Sequence, residues 1–454
     1  MIKPTLVHNT LLPLTEFTDR RATFFSLMPE NSIALFSAAK EVTRSNDTEY
    51  AFCQDKNFYY LTGYNEPEAI LVLIKSNDAG IKRQQSVLFN LEKNALQEIW
   101  HGRRVGQVLA VEQYGVDQCF SLEEIDQHLP DYIANKNQLL FCQGHNEKFD
   151  SQVYAWLANV KAQNRLGIKA PTQLVDCRTI IQEMRLIKSA GELEIMRRVN
   201  LISGAAHTRA MQQSAIGKFE YQLEAEILHE FSSNGARHPA YGTIVAGGDN
   251  GNILHYTNND DVLKDNELIL IDAGGELSGY AADITRTFPV NGKFTKEQKE
   301  IYQLVLDAQN LAIDAIKPKA TFAELNVLVN NFLTTGLHRM GILLGDLTVL
   351  LEEKACKKYF IHGLGHWLGL DVHDVGDYQS NEQREQCRPF EQGMVMTIEP
   401  GIYIPLDDYS VAEKWRGIAV RIEDNIAVTD QGHENLTVNA PKSLYEIEKI
   451  MRAK

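Results

Sequence analysis

"ELILIDAGGELSGYAADITRTF" (residues 267–288) is two strand-like apolar runs joined by a glycine-containing turn, the usual form of a β-hairpin. If the turn centres on Leu277 and Ser278, residues whose numbers sum to 555 face each other, and Asp272 faces Asp283. Facing side chains approach within about 5 Å. This register therefore sets two carboxylates against each other at the end of an apolar run. A turn-capping aspartate is the ordinary alternative for either residue alone, and two in register weaken it.

The situation recurs downstream. "GMVMTIEPGIYI" (393–404) ends a strand at Glu399 immediately before a Pro-Gly turn. "GIAVRIEDNIAVT" (417–429) alternates, so Ile418, Val420, Ile422 and Ile426 share one face while Arg421 and Glu423 share the other. A solvent-facing ion pair is the ordinary reading of those two residues in isolation. Taken together, Asp272, Asp283, Glu399 and Glu423 all stand at strand ends. Ionised carboxylates buried together without partners cost several kcal/mol each and take up protons instead. Two divalent cations balance the four charges. A carboxylate-rich, nitrogen-poor ligand set suits Mn²⁺ or a similarly hard ion better than structural zinc, and two ions about 3.5–4 Å apart can activate one water for hydrolysis.

The histidines of "HGLGHWLGLDVHD" (362–374) lie on backbone interrupted by Gly363, Gly365 and Gly369, which predicts strand and loop in place of helix. The spacing of His362 and His366 matches a zinc helix of the H-E-x-x-H type, but no Glu lies between them, and that reading fails.

Composition bounds the alternatives. A chain of 454 residues exceeds one ordinary core and divides into two domains or three. Hydrophobic content of 44% and charged content of 23% suit a globular protein, and no stretch approaches the roughly 18 apolar residues of a membrane span. The start "MIKPTLVHNTLLPLTEF" lacks the apolar core of a secretory signal, so the cytoplasm is the expected location. Six scattered cysteines without C-x-x-C spacing are expected to be buried thiols. A formal charge of −15 without a basic run argues against nucleic acid and leaves small or peptide substrates. That acid excess has a second reading, carboxylates gathered as ligands.

Apolar runs at 69–74, 86–91 and 138–142 alternate with helix-like segments, which predicts an α/β amino-terminal domain. The pattern changes near residue 178. From Gly191 a long amphipathic helix places Ile195, Met196, Val199, Ile202 and Ala206 on one face, and capping boxes at Thr295/Gln298 and Thr321/Glu324 start two more, with Pro318 and Gly341 marking their ends. Strand-rich stretches between and after these helices predict a mixed α+β second domain.

The order Asp, Asp eleven residues later, His within HGLGHWLGLDVHD, Glu in TIEPGIY and Glu in VRIED resembles the pita-bread metallopeptidases and, among them, the Xaa-Pro aminopeptidases. "EVTRSNDTEYAFCQDKNFYYLTGYNEPEAILVLIKS" (41–76) and "EIWHGRRVGQ" (98–107) resemble the amino-terminal domain of the bacterial enzymes, so the likeness covers nearly the whole chain. It implies a creatinase-like α/β domain over 1–178 and a pita-bread α+β catalytic domain over 179–454. It further implies that Asp272, Asp283, His366, Glu399 and Glu423 hold two divalent ions, with Glu399 also handling the proton of the attacking water. By the same likeness His255 of "ILHYT" lies near the scissile bond, His362 and His373 contact substrate around the proline, and Arg421 is a site arginine. The substrates implied are peptides with proline second, and relatives are often homo-oligomers, here a dimer or tetramer. The stretch "QSNEQREQCRPFEQ" (379–392) reads as insertion-like. Prolidase shares the metal set and is the nearest alternative. Methionyl aminopeptidase, metal-independent creatinase and metal-free binding modules of the same fold are more remote, because all five ligands are present and the amino-terminal domain is large.

Overall fold

The computed structural model describes residues 10–78, 81–380 and 386–452. Residues 1–9 of the expected signal-free start and 381–385 of the insertion-like stretch lie outside them. The chain forms two compact units, Met1–Met184 and Arg185–Lys454. The expected boundary at 178 is the first residue of the helix Arg178–Leu186, within which the units divide.

The amino-terminal unit is built on a six-stranded mixed sheet, in the order Gln118–Ser121, Ile81–Asn90, Ile70–Asp78, Ser32–Ser37, Gln138–Phe141, Gln173–Asp176. The three apolar runs of the sequence are among these strands. Val72 and Ile74 are buried on one face and Leu71 and Leu73 on the other, because helices cover the sheet. The helices Ile125–Ile133 and Glu147–Ala162 contribute Leu129, Ile133, Val153, Trp156 and Val160 to one side's core.

The carboxy-terminal unit is α+β. Its helix Ala190–Gln213 starts at a capping box of Ser189 and Glu192 and buries Ile195, Met196, Val199 and Ala206, with Ile202 partly buried against the large core that Ala206 joins. Both other expected capping boxes are made, by Thr295 and Gln298 at Lys296–Asp314 and by Thr321 and Glu324 at Phe322–Arg339. These helices bury Ile301, Val305, Val329 and Leu333 in the large core of the unit. Small antiparallel ladders on its other side carry the acidic residues.

Two expectations are corrected. In the 267–288 hairpin, Leu277 pairs with Tyr280 and Asp272 with Thr285, so facing numbers sum to 557 instead of 555. The turn is Ser278–Gly279, with φ of 50° and 84°. A two-residue hairpin turn of this hand needs positive φ at both centres, which Ser-Gly supplies and Leu-Ser does not. Asp283 stands two residues before Thr285, just outside that strand and diagonal to Asp272 in the register. The cysteines are all free, but only Cys177 and Cys356 are buried; Cys119, Cys142 and Cys387 are half-buried and Cys53 is exposed. Cys119 sits on an edge strand, Cys142 just past a strand end, and Cys53 in an extended segment with little cover.

Candidate metal centre

Strand ends converge the acidic residues. Asp272 ends Leu268–Asp272, Glu399 follows Val395–Ile398, and Glu423 lies between Ile418–Arg421 and Asp424–Val428, where the chain passes from one ladder to another. Arg421 and Glu423 are 4% and 2% exposed, so the solvent-facing reading of that pair is overturned: both sides of this strand are covered. The histidine stretch is loop, with one isolated bridge between Trp367 and Met396 in place of the expected strand. It lies along Val395–Ile398, where Leu368 N–H donates to Val395 O at 3.0 Å, Thr397 N–H to His366 O at 2.9 Å and Glu399 N–H to Leu364 O at 2.8 Å. Gly365 is pressed so closely there that a Cβ would fall 1.9 Å from Thr397 O, which answers why the loop carries glycine. Its far end is held by Asp374, whose carboxylate meets Arg185 at 2.6 Å and Lys188 at 3.0 Å, all three buried.

Asp283, His366 and Glu423 offer ligand atoms within 4.8 Å of one another. His366 Nε2 is 3.3 Å from Asp283 Oδ2 and 3.7 Å from Glu399 Oε1. Tyr241 Oη lies 2.6 Å from both Asp272 Oδ1 and Asp283 Oδ1. Arg421 donates to Asp272 Oδ2 at 2.5 Å, to Thr285 Oγ1 at 3.0 Å and to the Tyr403 hydroxyl at 2.9 Å. Thr285 donates in turn to Glu423 Oε2 at 2.7 Å.

Burial pushes the Glu399 carboxyl up to about 7 against the attraction of His366 and Arg421, with smaller repulsion from Asp283 and Asp272. Burial, then neighbouring carboxylates, also raises Glu423 well above its ordinary range, and burial raises Asp283. Burial alone would lower His366, but its hydrogen bond and proximity to Asp283 and the charge of Glu399 raise it to about 9. Tyr241 has one proton for two carboxylates, so its second contact calls for a proton on one of them. A donor set this acidic and this buried fits cations in place of those protons.

His362 is different. Burial, followed by the charge of Arg421, lowers it to about 4. Its Nδ1 is 2.7 Å from Gly363 O, which can only accept, so Nδ1 carries the proton and Nε2, at 2.8 Å, accepts from the Tyr403 hydroxyl. His373 is exposed, its ring 4.3 Å from that of His366, and its pKa is lowered by partial burial and by His366. His255 lies on an exposed loop, near enough for its charge to act on His373. The structure thus brings eight of the nine expected site residues into one connected cluster and leaves His255 at its edge.

Residues 194–430 match metallopeptidase family M24, and residues 17–141 match the aminopeptidase P N-terminal domain. Over 438 residues, 96% of this chain and 98% of the other, the sequence is 46% identical to Xaa-Pro aminopeptidase of Escherichia coli (strain K12). The chain belongs to the Xaa-Pro aminopeptidases of metallopeptidase family M24. It is also 43% identical to Xaa-Pro aminopeptidase of Haemophilus influenzae, over 98% of this chain and 99% of that one. A solved variant of Escherichia coli aminopeptidase P in complex with substrate superposes with a TM-score of 0.94 at 46% identity, covering 98% of this chain and 99% of that chain. The carboxy-terminal unit accordingly has the pita-bread fold of the M24 metallopeptidases, a family that works with divalent metal ions, and the amino-terminal unit is the aminopeptidase P α/β domain.

Sequence reasoning missed Tyr241, Tyr403 and Thr285, which link the acidic residues in this M24 site. For Tyr403 a signal existed: Gly401 faces Arg421 across the ladder, and Tyr403, two residues on, shares that face.

Proposed function

We propose that the protein is a dinuclear-metal aminopeptidase that releases a single amino-terminal residue when proline is second. The observation that carries this is the convergence of Asp272, Asp283, His366, Glu399 and Glu423, with burial raising the carboxyls of Asp283, Glu399 and Glu423 above their ordinary range. These five side chains hold the two ions, which we take to be Mn²⁺ because four of the five are carboxylates. When bound, the ions activate a water and polarise the scissile carbonyl. With the ions held, Glu399 would also handle the proton of the attacking water, beside which it stands as one of the five. Arg421 fixes Asp272 and, through Thr285, Glu423. His255, His362 and His373 face the substrate, and His362, kept neutral, donates or accepts without carrying a charge to the proline. Proline suits a pocket read by shape, because its tertiary amide has no N–H to satisfy and its ring fixes φ near about −65°.

The domain reading, 1–178 for the creatinase-like part and 179–454 for the catalytic part, belongs to this proposal, as do a homo-oligomeric assembly, a cytoplasmic setting, peptide substrates and the absence of nucleic-acid and membrane partners. Among the described residues no helix is long and apolar enough to cross a membrane.

The test is product identification with Mn²⁺ on X-Pro-Y-Z peptides with free and with acetylated amino termini, alongside X-Pro dipeptides and X-Ala-Y. Release of X from the free peptide and none from the acetylated one is expected. Cleavage confined to X-Pro dipeptides would transfer the assignment to prolidase, and full activity in protein free of divalent metal would overturn the dinuclear centre.

A further inference from the structure

Two of the six cysteines form a pair that the peptidase chemistry does not use. Strands Gln138–Phe141 and Gln173–Asp176 run parallel with Phe141 beside Asp176, and the next step of that register is Cys142 beside Cys177. The Cys177 N–H still donates to Phe141 O, at 3.2 Å, so the pairing continues past the strand ends. Neighbouring strands are about 4.8 Å apart, inside the Cα separation that disulfides span. The two Sγ atoms are 3.4 Å apart. Closing a bond needs only side-chain rotation and a small approach.

The pair is asymmetric. Cys177 is buried, whereas Cys142 is half-buried and opens on a narrow pocket shared with Ser37, Asp55, His145 and Phe149. His145 Nε2 is 3.1 Å from Asp55 Oδ2, and that contact raises its pKa, favouring the imidazolium beside the pocket. The Asn57 amide donates to Cys142 Sγ at 3.8 Å. The hydrogen bond from Cys177 lowers the Cys142 thiol against burial and the charges of Asp55 and Asp176, with a smaller aid from His145, while Cys177 is raised well above the ordinary thiol range by that same contact and by burial. Thiolate character and access, the two requirements for oxidation, therefore fall on one sulfur and a resolving thiol stands next to it.

We propose that Cys142 and Cys177 are a reversible dithiol–disulfide site oxidised by hydroperoxides. The Cys142 thiolate attacks one oxygen of the peroxide, the O–O bond breaks, the other oxygen leaves as an alcohol or water after protonation, and Cys142 becomes a sulfenic acid. The Cys177 sulfur then attacks Cys142 Sγ, the S–O bond breaks, water leaves with the Cys177 proton, and the S–S bond forms. Two thiols lose two electrons, which reduce one peroxide bond. A dithiol reductant restores both by exchange.

The experiment treats the reduced full-length protein with hydrogen peroxide, alkylates it after denaturation and maps the peptides by mass spectrometry. A Cys142–Cys177 cross-linked peptide is expected, with loss of those two alkylation sites before exposed Cys53 is oxidised, and full recovery in dithiothreitol. In Cys177→Ser the sulfenic acid should persist on Cys142 and be trapped by dimedone; in Cys142→Ser no cross-link should form. Both thiols recovered alkylated at a dose that oxidises Cys53, or no dimedone adduct at Cys142 in Cys177→Ser, would overturn the proposal. The wild-type map decides even where a variant folds poorly.

Discussion

Tyr241 puts one hydroxyl between Asp272 and Asp283, at 2.6 Å from each, and so fixes how both carboxylates face the centre. Partners that orient ligands from behind are worth about 10- to 100-fold in metal affinity. Tyr241→Phe should weaken Mn²⁺ binding by that range in a chelator competition, and an unchanged affinity would remove the hydroxyl from the centre. Among the histidines, His366→Ala should lower metal content and turnover together, since it loses a direct ligand. His255→Ala, His362→Ala and His373→Ala should keep their metal and lose turnover; elemental analysis separates the two classes, and equal metal loss in all four sinks the assignment. Asp272, Glu399 and Glu423 could be read from sequence because each is a charge following an apolar run, whereas Asp283 stands between strands, two residues before Thr285–Pro289. Tyr241 could not, because its hydroxyl meets its partners at the far end of a long side chain from a segment without pattern.

Elements hold these residues by different means, and the histidine loop depends on Asp374. Burial alone would raise this carboxyl, but Lys188 and Arg185 hold it below the usual range. Its contribution to stability is therefore complete above the unfolded value near about 4 and is lost as pH falls through the folded one. Asp374→Asn leaves buried cations short of their carboxylate, a change that costs about 3–5 kcal/mol. Denaturant titrations should show that deficit at pH 7 and a smaller one in strong acid; a constant deficit would mean that charge is not its source. Helix starts were legible because a capping box is complete within four residues. The hairpin register was displaced by two because turn conformation sets it, and the Ser278–Gly279 pair that decides it carries less hydrophobic signal than the flanking strands.

At the scale of the whole molecule, each unit has its own core, one around Val72, Leu139 and Trp156 and the other around Ile301, Leu333 and Ile398. Metal binding should therefore act on one of them. Calorimetry of chelator-stripped protein is expected to show a transition that Mn²⁺ moves upward, by about 2.7 kcal/mol at a hundredfold excess over Kd, beside one that it leaves in place. A joint shift of all the heat absorbed would contradict this. Two-domain organisation was legible from length and from the change in apolar pattern. The acidic excess was only partly explained as ligands, since four of 60 acidic residues reach the centre. The main-chain bonds that run from Leu364 to Leu368 along Val395–Glu399 have a consequence for how a cation is taken up. They tie His366 and Glu399 to the same stretch of backbone, so the freedom these two ligands would otherwise surrender on coordination is already gone when the chain has folded, and ion entry orders little besides side chains.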